Sequence, residues 1–130
     1  MKEFQNPLFD FARKIAKEKD PNKERGFLVF CPDLVIESIE HFHKAIGPIS
    51  LYYSVKWNLC PYFVKTMLEK HNKEIDVFGC ASINEIKEVL KLGGDPSKIS
   101  FSQAAKTKSE IIESYNLGVK LALVDCIEEV

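Results

Sequence analysis

Lys56 is the residue with the clearest chemical potential, because it ends an apolar run, Ile49 to Lys56 (ISLYYSVK). Lysine is rare in buried strands, since its ammonium is costly to desolvate. An amine held in such a place gives up its proton more readily, and a neutral amine can form a Schiff base with an aldehyde. In a parallel barrel, moreover, active sites lie at the C-terminal ends of the strands. A plainer reading stands beside this one: Lys56 falls just past the strand and faces solvent. Spacing alone favours the plainer reading.

The remaining candidates are weaker. Cys31, Cys60, Cys80 and Cys126 match no CxxC pattern, so a zinc site is not expected. His41, His43 and His71 have no partner at metal-ligand spacing and read as surface or helix-face residues. Tyr52, Tyr53 and Trp57 suggest a stacking platform, but strand-core packing explains them better. Phe4, Phe9 and Phe11 read as one helix face, and Lys65, Lys70 and Lys73 as a solvated helix edge. Gly93-Gly94-Asp95 is a turn without the context of a nucleotide-binding loop.

The elements that must position Lys56 follow from periodicity. Leu8 to Lys19 has helical spacing and stops at Asp20-Pro21, whereas Gly26 to Phe30 (GFLVF) is short and apolar and predicts a strand. A helix is predicted from Pro32-Asp33 to Ala45, closed by Gly47-Pro48. After the Lys56 strand, Pro61 to Lys70 reads as a helix and Ile75 to Cys80 as a strand. Ser82-Ile83-Asn84-Glu85 forms a capping box ahead of Ile86, Val89 and Leu90, with Gly93 as the stop. Ile99 to Ser102 is a third strand. Thr107-Lys108-Ser109-Glu110 is a second capping box, Gly118 a second stop, and Val119 to Val124 a fourth strand. Predicted strand ends at Lys56, Gly79, Gln103 and Cys126 recur about every 23 or 24 residues. Strand–helix units of that length build a parallel sheet. The strands read as apolar runs without alternation, as expected where helices cover a sheet. Periodicity leaves an open doubly wound sheet and a (β/α)8 barrel equally satisfied.

Composition bounds the function. The 130 residues suffice for one modest core, with 45% hydrophobic and 28% charged residues. A formal net charge of −1 gives no support for nucleic-acid binding. No apolar run approaches the length that crosses a bilayer, and no secretion signal is read in MKEFQNPLFD. Reduced thiols in a cytoplasmic protein are the expectation.

Several spaced motifs carry a resemblance. Tyr53 to Asn58 (YSVKWN) resembles the YAVKCN motif of the ornithine decarboxylase family, and Phe78 to Ser82 with Glu85-Ile86 is similar to that family's FDCAS..EI. Ile99 to Lys106 (ISFSQAAK) resembles IIYANPCK, and Gly118-Val119 with Val124-Asp125 follows at the matching distance. The likeness covers about residues 26 to 130. It implies an α/β fold that is part of a (β/α)8 barrel, about four parallel βα units, as in fold-type III pyridoxal phosphate enzymes. A helical segment over residues 1–25 would precede the N-terminal half of that barrel over 26–130. The resemblance implies pyridoxal 5'-phosphate as cofactor, Lys56 as the lysine that binds it, and L-ornithine as the family substrate.

The departures bear on activity. Gly79 replaces an acid that the family places near the lysine and cofactor, and glycine can neither position an amine nor tune its charge. Antizyme inhibitors, decarboxylase-like proteins without the activity, also lose that acid. Trp57 adds bulk beside the lysine, and Gln103-Ala104-Ala105 replaces the turn-fixing Asn-Pro-Cys. The family's glycine-rich phosphate loop, its ring-stacking histidine and its pyridine-pairing acid belong to later sequence, so the chain is expected to be truncated and inactive alone. Three readings follow: the N-terminal part of an ornithine-type decarboxylase; a catalytically dead binding protein of the antizyme-inhibitor kind; or an incomplete barrel without activity of its own. Expected partners are a second copy or a decarboxylase subunit, and an antizyme-like regulator contacting about Lys106 to Val130.

Overall fold

The computed structural model describes residues 7–19, 26–47, 49–70 and 75–129. The chain divides into two compact units, Met1–Cys31 and Pro32–Val130.

In the first unit, helix α1 (Pro7–Glu18) forms where the helical spacing predicts it. Phe9 and Phe11 lie exposed on it, and Phe4 is outside the described residues. The expected strand at Phe27–Phe30 does not form. Residues 26–31 carry no strand pairing, and Leu28 is fully exposed. Apolar strand-forming residues supply propensity, but a strand persists only when a neighbour takes up its N–H and C=O groups. Phe27 instead lies beneath the Lys19 ammonium, 5.6 Å from ring centre to nitrogen.

The second unit alternates helix and strand. Helix α2 (Pro32–Ile46) leads to strand β1 (Leu51–Ser54), a single 3-10 turn (Val55–Trp57) and helix α3 (Pro61–Lys70). Strand β2 (Ile75–Cys80), helix α4 (Ile83–Lys91), strand β3 (Ile99–Phe101), helix α5 (Lys108–Asn116) and strand β4 (Leu121–Ala122) follow. The strands form one sheet in the order β1-β2-β3-β4, each pair parallel. Sequential parallel neighbours are the arrangement of a barrel wall and not of a sheet whose strand order reverses. The β4 strand is shorter than the expected Val119–Val124, although the Leu123 N–H still donates to Phe101 O at 3.0 Å.

Helix ends explain why the repeat breaks where it does. Gly93 and Gly118 have φ of +97° and +90°, conformations that cost an L side chain energy, and each sits just past a helix. The N–H groups of Gly94 and Val119 then donate to Val89 O and Ser114 O, closing the last turns. At the other end of α5 the capping box is complete: Glu110 N–H donates to Thr107 Oγ1, and Thr107 N–H to Glu110 Oε2. The α4 box differs from expectation. Ser82 Oγ accepts from Glu85 N–H, but the Glu85 carboxylate takes the N–H of Ala81. That is one residue earlier than the reciprocal pattern requires.

The core lies between one face of the sheet and the helices. Val55, Phe78, Cys80, Ile99 and Phe101 pack with Val64 and Met67 of α3 and Ile86 and Val89 of α4, all buried. Each such side chain contributes about 1.5–3 kcal/mol through burial. A half-exposed ion pair, Lys87 to Glu113 at 2.6 Å, joins α4 to α5 and adds at most about 1 kcal/mol.

Alternation, which the apolar runs did not suggest, is present. Tyr53 meets Phe63 and Phe78 on the helix side, while Tyr52 stands over Gly79 on the other face. The register pairs Ser54 with Gly79 and Gly79 with Ser100, so small and polar residues line that second face.

Candidate active site at the C-terminal end of the sheet

Lys56 lies just beyond β1, in the 3-10 turn, and its side chain is exposed. It is therefore not a strand lysine buried among apolar neighbours. The residue before it, Val55, is fully buried in the core and fixes the turn to the sheet.

The residues flanking the lysine shape its turn. Tyr53 Oη donates to Asn58 O at 3.0 Å, and Asn58 N–H donates to Val55 O at 3.1 Å. Asn58 Oδ1 accepts from Cys60 N–H at 3.0 Å, a side-chain turn that leads the chain into α3. Tyr53 and Asn58 thus clamp a loop whose middle residue is Lys56. Burial raises the Tyr53 pKa, which keeps its hydroxyl protonated and donating. Tyr53→Phe should retain the ring packing and lose the clamp, costing about 0.5–1.5 kcal/mol in urea unfolding. An unchanged unfolding midpoint would mean that the turn holds without it.

Tyr52, Tyr53 and Trp57 do not come together as a stacking platform. Tyr53 is in the helix-side packing, Tyr52 is on the opposite face, and Trp57 is 82% exposed. His41 is exposed, His43 is edge-on to Phe42, and His71 and Lys73 lie outside the described residues. Lys65 is paired with Glu69 at 3.5 Å on an exposed helix surface. Asp95, in the glycine turn, accepts from Ser97 N–H at 2.9 Å, and this bond holds its carboxyl below the usual range.

Cys80, beside Gly79, is no nucleophile. Burial, with the Glu85 charge adding to it, pushes its thiol up to about 12, so it stays protonated at neutral pH.

The turn after β3 has a support that its sequence did not announce. Without the proline of the related motif, Gln103 to Ala105 is held by Lys106, whose Nζ donates to Gln103 O (2.6 Å), Ala104 O (3.1 Å) and Leu123 O (2.6 Å). One ammonium therefore ties the β3 exit to the β4 exit. Ser100 and Ser102 escaped the sequence reading, and Tyr52, read there as strand-core packing, lies half exposed over Gly79. The polar alternation in ISFS, set against Gly79, was the available signal.

A sheet of successive parallel βα units in sequential order is the arrangement of a partial TIM-type barrel. Residues 33–130 match the family described as pyridoxal-dependent decarboxylase, pyridoxal binding domain. The chain belongs to that family. It is 32% identical over 123 residues to the chloroplastic ornithine decarboxylase of Nicotiana glauca, covering 95% of this chain and 28% of that relative. The structure superposes on ornithine decarboxylase from Entamoeba histolytica with a TM-score of 0.82 at 34% identity, covering 92% of this chain and 36% of that one. The arginine decarboxylase of Paramecium bursaria Chlorella virus gives 0.79 at 31% identity, covering 90% and 30%. The chain thus spans about a third or less of the length of these relatives. Their folds bear out the reading of a partial barrel.

The family implies pyridoxal phosphate, and the residues present fit it in part. Lys56 offers an exposed amine at the rim, as a covalent anchor requires. Position 79, an acid in the resembled motif, has no side chain in this sequence. Among the described residues no helix is long and apolar enough to cross a membrane.

Proposed function

We propose that this chain forms the N-terminal part of a pyridoxal-phosphate-dependent amino-acid decarboxylase barrel acting on ornithine in polyamine synthesis, with Lys56 as the cofactor lysine. The observation that carries this is the location of Lys56: exposed, one residue past fully buried Val55, at the C-terminal end of β1. Ornithine is favoured by two relatives that match over nine-tenths of this chain at 32% and 34% identity, both ornithine decarboxylases. When bound, pyridoxal phosphate supplies an electron sink for the carbanion left as a carboxylate departs. This chain's own part is narrower. The Tyr53–Asn58 clamp holds the lysine loop, Val55 anchors it to the core, and Lys106 fixes the neighbouring rim. A reducing compartment such as the cytoplasm is part of this proposal.

Gly79 favours a second reading, in which the 130-residue polypeptide does not decarboxylate and acts by binding, as a decarboxylase-like partner or regulator. The stretch from Lys106 onward exposes Ile112, Tyr115 and Ile127, apolar groups that suit contact with an antizyme-like partner.

Both readings meet one experiment. Incubate the polypeptide with pyridoxal phosphate, reduce with borohydride and locate the added mass by peptide mapping; assay carbon dioxide release from ornithine in parallel. Label on the Lys56 peptide, lost in Lys56→Ala, with no carbon dioxide released, is the expected result. Label that persists in Lys56→Ala would remove Lys56 from its role. Turnover would remove the inactive reading.

A further inference from the structure

Three main-chain oxygens converge on one nitrogen beyond the ends of β3 and β4. Lys106 Nζ lies 2.6 Å from Gln103 O, 3.1 Å from Ala104 O and 2.6 Å from Leu123 O. Strand β3 ends at Phe101 and β4 at Ala122, so all three carbonyls lie past the paired residues of those strands. The same nitrogen stands 6.0 Å from the centre of the Phe101 ring, which is buried in the core. The backbone on both sides of this cage is anchored. Ser102 N–H donates to Cys80 O at 2.7 Å, and Leu123 N–H donates to Phe101 O at 3.0 Å.

The chemistry of the cage selects its occupant. Carbonyl oxygens carry partial negative charge and have nothing to donate, so they suit a cation. An ammonium presents three N–H donors, one for each oxygen here. An aromatic face within about 6 Å adds a further attraction for a cation. Hard divalent ions fit poorly, because they take about six or more oxygens and draw on carboxylates. Among the described residues no group of three His, Cys, Asp or Glu side chains is placed to hold a metal ion. What the cage suits is a monovalent cation of ammonium size.

We propose that the exits of β3 and β4 form an ammonium site, built from the carbonyls of Gln103, Ala104 and Leu123 with the face of Phe101, which this chain fills with its own Lys106. Lys106 is then a positioning residue. Its ammonium, and not its apolar stem, fixes the Gln103–Ala105 turn to the end of β4. Once the side chain is removed, the site takes a small monovalent cation from solution. The inference stands or falls independently of a cofactor at Lys56.

Thermal midpoints and amide exchange of the 130-residue chain, of Lys106→Ala and of Lys106→Met test it. Each is measured in ammonium chloride and in tetramethylammonium chloride at about 0.5 M, against the unsubstituted chain in the same salt. Tetramethylammonium has the same charge but no N–H donor. In it, both variants should melt about 4 °C or more below the unsubstituted chain. Their Leu123 amide should exchange about tenfold faster or more. Ammonium chloride should restore about half or more of the lost midpoint and slow the exchange again. Lys106→Met, which keeps the stem and lacks the donors, carries the comparison if Lys106→Ala does not fold. Variants that keep the unsubstituted midpoint and exchange would show that the ammonium does not hold the rim. Losses that are equal in the two salts would show that the carbonyls form no cation site. A Lys106→Met chain like the unsubstituted one, beside a weakened Lys106→Ala, would assign the effect to the stem. Each of these three results overturns the proposal.

Discussion

Replacing Phe78 with alanine should lower the thermal midpoint of the second unit by roughly 12 °C or more. Phe78 is 1% exposed at the centre of β2, a strand with neighbours on both sides. Its ring meets Tyr53 edge-on with centres 6.2 Å apart, and it is part of the cluster that includes Ile86, Val89 and Ile99. Truncating a buried phenylalanine costs about 3–5 kcal/mol, because the transferred area and the remaining cavity both count. A domain of ordinary stability has only about 5–15 kcal/mol in total. The loss would also release Tyr53, whose ring rests on Phe78 and whose hydroxyl clamps the Lys56 loop. Circular dichroism against temperature should therefore show a collapse of the midpoint, and trapping of pyridoxal phosphate on Lys56 should fall with it. A midpoint within a few degrees of the unsubstituted chain would mean that the sheet does not depend on this contact. Phe78→Leu, which keeps most of the volume, should cost far less and serves as the control.

The parts of this molecule that were legible in its sequence are those that local chemistry decides. Thr107 and Glu110 close a capping box because both partners lie within one turn, and Gly93 and Gly118 end helices because only a few backbone conformations can. The parallel order of the strands followed from the spacing of these signals. Three features were not legible, each for want of a distant partner. Phe27 to Phe30 has strand composition but no strand beside it among the described residues of its unit. Asp76 interrupts the β1–β2 register between Leu51 and Tyr52, where its carboxylate accepts the Leu51 N–H at 2.9 Å; nothing near Asp76 in sequence announces this. The fit of Tyr52 into the space above Gly79 depends on that register and could be read only once the strands were paired. The site divides the same way. Motif residues placed Lys56 at the rim, but what faces it across the sheet came from tertiary structure.

The 130-residue polypeptide should self-associate with rising concentration, through the β4 side of its sheet. In the order β1-β2-β3-β4 the outer strands each have one neighbour among the described residues, so their other edges leave N–H and C=O groups to be satisfied. Beside β4 the side chains are apolar and open: Leu121, Leu123 and Val124 are 50%, 51% and 47% exposed. Lys120 is exposed too, a charge of the kind that discourages edge pairing. Strand addition would bury those side chains and pair the edge in one step, and the same edge is where a barrel would continue. A second apolar surface competes as an explanation, the groove between α2 and α3 lined by Leu34, Phe42, Leu51 and Phe63. Sedimentation velocity across a concentration series separates the two. Leu121→Lys with Leu123→Lys should shift the population to monomer, because pairing would then bury unpaired charge. Phe42→Lys should leave it associated. Association that survives the β4 changes and disappears with Phe42→Lys would assign it to the groove. A chain that stays monomeric at every concentration would mean that the edge beside β4 does not pair.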